Sequence, residues 1–130
     1  MIGYVTLGTD DLDRSRAFYD ALFGEIGVSR LMEMESGFTL YAPGWGKPGV
    51  AVTRPYDGRP AVPGNGDMVA LVMDSRDKVD RLHARAIELG GTDEGPPGVR
   101  GDEGPRAFYG AYFRDPDGHK LCAFRIGPAA

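Results

Sequence analysis

The sequence predicts a single α+β domain assembled from two βαβββ repeats. Three observations carry that prediction: a self-similarity at a fixed offset, a matched strand–cap–helix pattern in each copy, and an Asp-Pro-Asp-Gly turn between the last two strand-like runs. Placing Tyr4-Val5-Thr6-Leu7-Gly8-Thr9-Asp10 above Met68-Val69-Ala70-Leu71-Val72-Met73-Asp74 aligns Val5 with Val69, Leu7 with Leu71 and Asp10 with Asp74. Asp13 and Asp77 keep the same offset, so each half reads Asp-x-x-Asp after an apolar run. Self-similarity on this scale marks a repeated supersecondary unit, and one such unit is too small to bury a core alone.

Each element follows from local chemistry. An Asp at a helix start accepts hydrogen bonds from orphan backbone N–H groups, and a second acid in the first turn suits the helix dipole. The first helix is expected through Leu12, Ser15, Phe18, Tyr19, Leu22 and Phe23, closed by Gly24. The second is expected through Val79, Leu82, Ala86, Ile87 and Leu89, closed by Gly90 and Gly91, since glycine tolerates the left-handed conformation of a C-terminal cap. Strand-like runs follow at 26–34, 38–42 and 50–53, then a weak one near 92–99, then 107–114 and 120–126. Asp115-Pro116-Asp117-Gly118 joins the last two: Pro presets one dihedral angle and Gly accepts a positive one. The 20 glycines and 10 prolines cluster at 42–49, 54–66 and 90–105, which read as loops. The whole chain, 1–130, is one domain, with a first module at about 1–56 and a second at about 65–127.

Composition narrows the function. A net charge of −4 without a basic stripe argues against nucleic acid, and it slightly favours a cationic guest over an anionic one. No apolar stretch approaches the roughly 20 residues that span a bilayer, and the N-terminus runs directly into a strand pattern without a leader. The single cysteine, Cys122, excludes an intrachain disulfide. A soluble protein of the reducing cytoplasm is expected.

Three segments resemble the vicinal-oxygen-chelate superfamily, which comprises glyoxalases, bleomycin-resistance proteins and extradiol dioxygenases. The first is Val5-Thr6-Leu7 leading to Asp11-Leu12-Asp13-Arg14-Ser15-Arg16-Ala17-Phe18-Tyr19, similar to that family's opening strand and D-L-x-x-S-x-x-F-Y helix. The second is the helix from Val79-Asp80 to Gly90-Gly91. The third, Phe113-Arg114-Asp115-Pro116-Asp117-Gly118-His119-Lys120-Leu121, is close to F-x-D-P-D-G-N-x-I/L. The resemblance implies two paired curved sheets around a cleft, and often a homodimer with cleft walls shared between chains. In catalytic members a divalent metal in the cleft acts as a Lewis acid on adjacent oxygens of the substrate.

At the positions where catalytic relatives place metal ligands, this chain departs from the family pattern. Tyr4 stands where the opening strand has His, Gln or Glu, Met68 where the second half has His, and Cys122 where a Glu follows the Asp-Pro-Asp-Gly turn. The stretch 50–53 (Val, Ala, Val, Thr) offers no strong donor. Divalent metals want carboxylate or imidazole donors, so the expected cofactor is none and the metal site is degenerate. A softer set of Tyr4, Met68 and Cys122 would suit copper, but the same residues also suit the lining of an apolar cleft. His83, at the edge of a helix face, and His119, in the turn, do not restore a His-rich set. Cys122 shares a strand face with Lys120 by alternation, yet a buried inert thiol is the simpler reading.

Aromatic residues complete the candidate cleft. Trp45 sits in a glycine-flanked loop, and Tyr41, Tyr56, Phe108, Tyr109 and Tyr112 supply further rings. The expected ligand cleft is therefore Tyr4, Met68, Cys122, Trp45, Tyr109 and Tyr112, with no catalytic residue assigned. The acidic stretch 92–106 reads as a solvated connection or a lid. The leading expectation is a binder of an unknown small molecule, without metal-dependent catalysis, as a homodimer. The alternatives are a glyoxalase-like lyase of the lactoylglutathione lyase type, a dioxygenase with a divergent ligand set, or a scaffold with a vestigial cleft.

Overall fold

The computed structural model describes residues 1–129. The first half runs β1 (Tyr4–Gly8), α1 (Leu12–Gly24), β2 (Ser29–Glu33), β3 (Thr39–Ala42) and β4 (Gly49–Thr53). The second runs β5 (Val69–Val72), α2 (Arg76–Glu88), β6 (Thr92–Arg100), β7 (Phe108–Arg114) and β8 (Lys120–Ile126). Each half forms its own four-stranded sheet, in the orders β1-β4-β3-β2 and β5-β8-β7-β6. In both, the first strand lies parallel to the last, and the remaining neighbours are antiparallel. The opening strand of each half is therefore an edge.

The offset of 64 holds through the front of each half: α1 begins and ends 64 residues before α2 begins and ends, and β1 ends 64 before β5 ends. The caps sit one residue later than the aligned aspartates. Asp11 accepts from the Arg14 N–H, and Ser75 from the Lys78 N–H. Asp10 instead accepts from the backbone N–H of Ala61, tying the linker between the halves to the end of β1. Gly24 remains helical, and the left-handed turn after α1 is made by Gly27 at φ 71°, whereas Gly90 (φ 100°) closes α2 as expected. Residues 92–100 form the longest strand of the second sheet rather than a lid. Their acids are held in place: Asp93 by His83, Glu94 by Arg114, and Glu103 just beyond by Arg76.

Alternation divides each sheet into two faces. One face carries Val5, Leu7, Tyr41, Val50 and Val52 in the first sheet, and Ala111, Phe113, Leu121 and Ala123 in the second. These side chains join Phe18, Tyr19, Leu22 and Phe23 of α1 and Val79, Leu82 and Ala86 of α2 in one continuous core. The opposite face of each sheet carries no helix.

The turn between β7 and β8 ties the halves together. The buried Asp115 accepts from the Asp117 and His119 N–H groups through Oδ1, and through Oδ2 from the Tyr19 hydroxyl of α1 at 2.5 Å. Arg14 pairs with Asp117 at 2.9 Å, and the His119 ring Nε2 lies 2.7 Å from the Gly8 carbonyl. Burial raises the Asp115 carboxyl above its usual range, against the lowering effect of the Tyr19 hydrogen bond.

Candidate functional site

The open face of the first sheet is uncharged. Tyr4 and Thr6 of β1, Leu40 of β3 and Met32 of β2 line it, together with Phe38 at the entry to β3. With the segment after β4 folding over one side, they bound a cavity of about 1050 Å³. Tyr4 stands edge-on to Phe38 at 5.7 Å between ring centres, a favourable aromatic geometry. The charged side chains at the rim are Arg54, Asp57 and Arg59, all from the linker.

The open face of the second sheet differs in character. Registers Gly110↔Phe124, Tyr112↔Cys122 and Arg114↔Lys120 place these six residues on it, with Ala70 beside Cys122. Phe108 and Phe124 stack nearly parallel, 7° apart in plane and 5.5 Å between centres. The Tyr112 ring takes two cations, the guanidinium carbon of Arg100 and the Lys120 Nζ, each 5.4 Å from its centre. A cation over a ring face is attracted by the ring quadrupole, by roughly 0.5–1 kcal/mol at exposed sites. Cys122 is fully covered, and burial pushes its thiol up despite the hydrogen bond to Tyr112. That is the environment of an inert thiol. Burial also raises the Tyr112 hydroxyl.

The six residues expected to share a cleft are therefore divided. Tyr112 and Cys122 meet as a register pair on the second open face. Tyr4 lies on the first open face, and Met68 lines crevices at the edge of the second sheet with Lys120. Tyr109 is a correction: it faces α2, where its hydroxyl donates to Asp80 at 2.6 Å and Arg76 covers its ring at 5.0 Å. Register explains this, because Tyr109 is one residue out of step with Phe108, Gly110 and Tyr112. Trp45 stands apart from both faces, 71% exposed in the turn between β3 and β4. Tyr41 lies inside the core, its hydroxyl 2.8 Å from Asp20. His83 packs edge-on against Phe113 and meets Asp93 at 3.0 Å.

Sequence reasoning missed Thr6, Phe38 and Leu40 on the first face and Arg100 on the second. Thr6 was recoverable by stepping two residues from Tyr4. Arg100 was not, because its strand, with Gly95-Pro96-Pro97-Gly98 inside it, reads as a loop. The second open face gathers Arg100, Arg114 and Lys120, with Glu94 paired to Arg114 and Asp67 lining the crevice beside Lys120, in a chain whose net charge is −4.

The residues at the family's ligand positions do not fit a divalent metal. Cys122 is a covered thiol whose ionisation burial disfavours, and Tyr4 at the start of β1 and Met68 just before β5 supply neither carboxylate nor imidazole. Among the described residues no three His, Cys, Asp or Glu side chains converge as a metal site.

Two repeated βαβββ modules with helix-free faces define the class of fold, and the chain belongs to the glyoxalase/bleomycin resistance protein/dioxygenase superfamily, whose family model matches residues 1–123. A glyoxalase/bleomycin resistance protein from Albidiferax ferrireducens is similar at 37% identity, with 96% of this chain and 98% of that chain covered and a TM-score of 0.84. A family enzyme from Burkholderia phytofirmans (21% identity, 95% and 97% covered, TM-score 0.72) shares the fold. So does a lactoylglutathione lyase from Agrobacterium tumefaciens (21% identity, 96% and 92% covered, TM-score 0.65). No curated protein matches the chain. No helix among the described residues is long and apolar enough to cross a membrane.

Proposed function

We propose that this chain binds a small organic molecule against its open sheet faces without metal-dependent catalysis, and that it does so as a homodimer. The observation that carries this reading is the chemistry at the three ligand positions: Tyr4, Met68 and a buried Cys122 supply neither carboxylate nor imidazole. What remains on these faces is apolar and aromatic surface with a few polar anchors, the usual make-up of a small-molecule pocket. A cytoplasmic location agrees with a cysteine kept as a free thiol.

The homodimer is supported by the two edges. β1 and β5 each leave one side unpaired, and around them Ile2 (58%), Tyr4 (55%), Met68 (45%) and Val72 (72%) are exposed apolar side chains. Unpaired edges with apolar flanks are association sites unless covered. A second copy laying its edges against them buries both and brings one open face opposite another, making a cleft from two walls.

The test is metal content alongside oligomeric state. Untagged protein, purified without chelators, is offered Mn, Fe, Ni, Cu and Zn in turn and analysed for bound metal. Substoichiometric content for every metal, unchanged in Cys122→Ser, is the expected result. Stoichiometric uptake of one metal, lost in that variant, overturns the reading in favour of a lyase or dioxygenase with an unusual ligand set. Sedimentation should give a dimer that Val72→Glu shifts toward monomer; a wild-type monomer would remove the two-walled cleft.

A further inference from the structure

The cavity over the first sheet has a floor without charge and one wall that the chain's own linker supplies. Thr6 of β1 and Leu40 of β3 are both register partners of Ala51 on β4, so the three share the open face, and Ala51 is fully covered between them. Around them Tyr4, Met32 and Phe38 complete the floor of the cavity of about 1050 Å³, at the upper end of the roughly 300–1,000 Å³ usual for small-molecule sites. The linker wall comes close to the end of β1: Pro55 and Ala61 lie 3.7 Å and 3.5 Å from where a Cβ on Gly8 would stand. It is held by its own hydrogen bonds. The Ala61 N–H donates to Asp10 at 2.8 Å, the Gly58 N–H to the Pro55 carbonyl at 3.1 Å and the Arg59 N–H to Asp57 at 3.0 Å. A wall fixed before the guest arrives needs less ordering on binding.

Charge is kept off this floor. Asp57 and Arg59 are exposed on the linker. The Arg54 Nη1 sits 3.0 Å from where a Cβ on Gly37 would stand, beside the turn between β2 and β3. An ion pressed onto the floor loses hydration and finds no opposite charge there. What the floor does offer is a hydroxyl. Among the described residues that of Thr6 bonds to no protein group, whereas that of Thr53 is turned to the Arg54 carbonyl at 3.2 Å. On the second face the rings are already engaged: Phe108 stacks on Phe124, and Tyr112 stands between Arg100 and Lys120.

We infer that the first open face takes an uncharged aromatic molecule carrying a hydroxyl or carbonyl group, its rings against Phe38, Leu40 and Met32 and its oxygen bonded to the Thr6 hydroxyl. The inference rests on the binding reading above, narrows it to one face and adds the ligand's chemical class. Phe38 presents its ring beside the edge-on Tyr4, and the Met32 thioether adapts to an aromatic surface. A single hydroxyl both donates and accepts, so it serves a phenol or a ketone equally.

The probes are 2-naphthol, neutral at the pH of the titration, the anion 2-naphthoate, the cation 2-naphthylmethylammonium and 2-methylnaphthalene, which lacks the oxygen. Each is titrated into the full chain while amide shifts map the contact. Naphthol is expected to bind about tenfold or more tightly than either ion, with little dependence on salt and with shifts at Thr6, Phe38 and Leu40. Thr6→Val keeps the shape and removes the hydroxyl, so it should weaken naphthol severalfold and leave methylnaphthalene unchanged. Phe38→Ala should weaken both. An ion that binds as tightly as naphthol would overturn the uncharged class while leaving the binding reading intact. So would naphthol shifts confined to Phe108, Tyr112 and Phe124, by moving the site to the second face. Naphthol affinity unchanged in Thr6→Val would overturn the anchor. If none of the four probes binds or shifts residues of either open face, the binding reading fails and this inference fails with it.

Discussion

The turn between β3 and β4 and the turn between β7 and β8 occupy equivalent places in the two halves, yet they meet opposite fates. The first, around Trp45, stands in solvent with its indole exposed. The second, Asp115 to His119, reaches into the other half through Tyr19, Arg14 and the Gly8 carbonyl. A repeat thus fixes the path of the chain but not the work of each copy. The difference lies in side chains: Pro43-Gly44-Trp45-Gly46 has no short polar group to bond inward, whereas Asp115 can satisfy two N–H groups with one oxygen and Tyr19 with the other. This also accounts for the family-like Asp-Pro-Asp-Gly motif here as a structural clasp.

The largest effect that breaks this comparison is Asp115→Ala, which orphans the Tyr19 hydroxyl in the core and two turn amides. It is expected to cost about 3 kcal/mol in urea unfolding, and a loss below 1 kcal/mol would mean that the clasp is ornamental. The pH dependence sharpens the same point. Burial raises the native Asp115 value above its unfolded one, so its contribution is full below the ordinary carboxylate range and is lost as pH rises through the raised native value. The stability of wild type relative to Asp115→Asn should therefore improve on acidification across that window, and a flat difference would remove the assignment.

His119→Ala comes next. It takes away one partly buried contact to the Gly8 carbonyl and should cost about 1 kcal/mol by the same unfolding measurement. Trp45→Phe is the smallest, within about 0.5 kcal/mol of wild type, because an exposed ring in a turn contributes little to the core. Trp45 emission should also be red-shifted and open to acrylamide. A blue, protected emission in the isolated protein would instead put the β3–β4 turn in the dimer interface.

Legibility followed the range of the forces involved. Val5, Leu7, Val69 and Leu71 announced buried strand faces by alternation, and Phe18, Tyr19 and Leu22 a helix face by their spacing. Cys122 entered the expected cleft by its place after the Asp-Pro-Asp-Gly turn and Tyr112 as one of several aromatic rings; strand register is what sets the two side by side. Tyr109 was misplaced because a shift of one residue moves a side chain to the other side of a sheet. β6 was faint because its Gly and Pro residues weaken any strand pattern, and with it went Arg100.

The sequence by itself determined the doubled βαβββ path and the two helices at matched offsets, since each depends on neighbours within a few residues or on residue identity alone. Only the tertiary structure decided which aromatics share a face, that Asp115 clasps Tyr19, and that an acidic chain presents a cationic, aromatic surface. Those outcomes depend on strand register and on contacts between residues about a hundred positions apart, which no local pattern encodes.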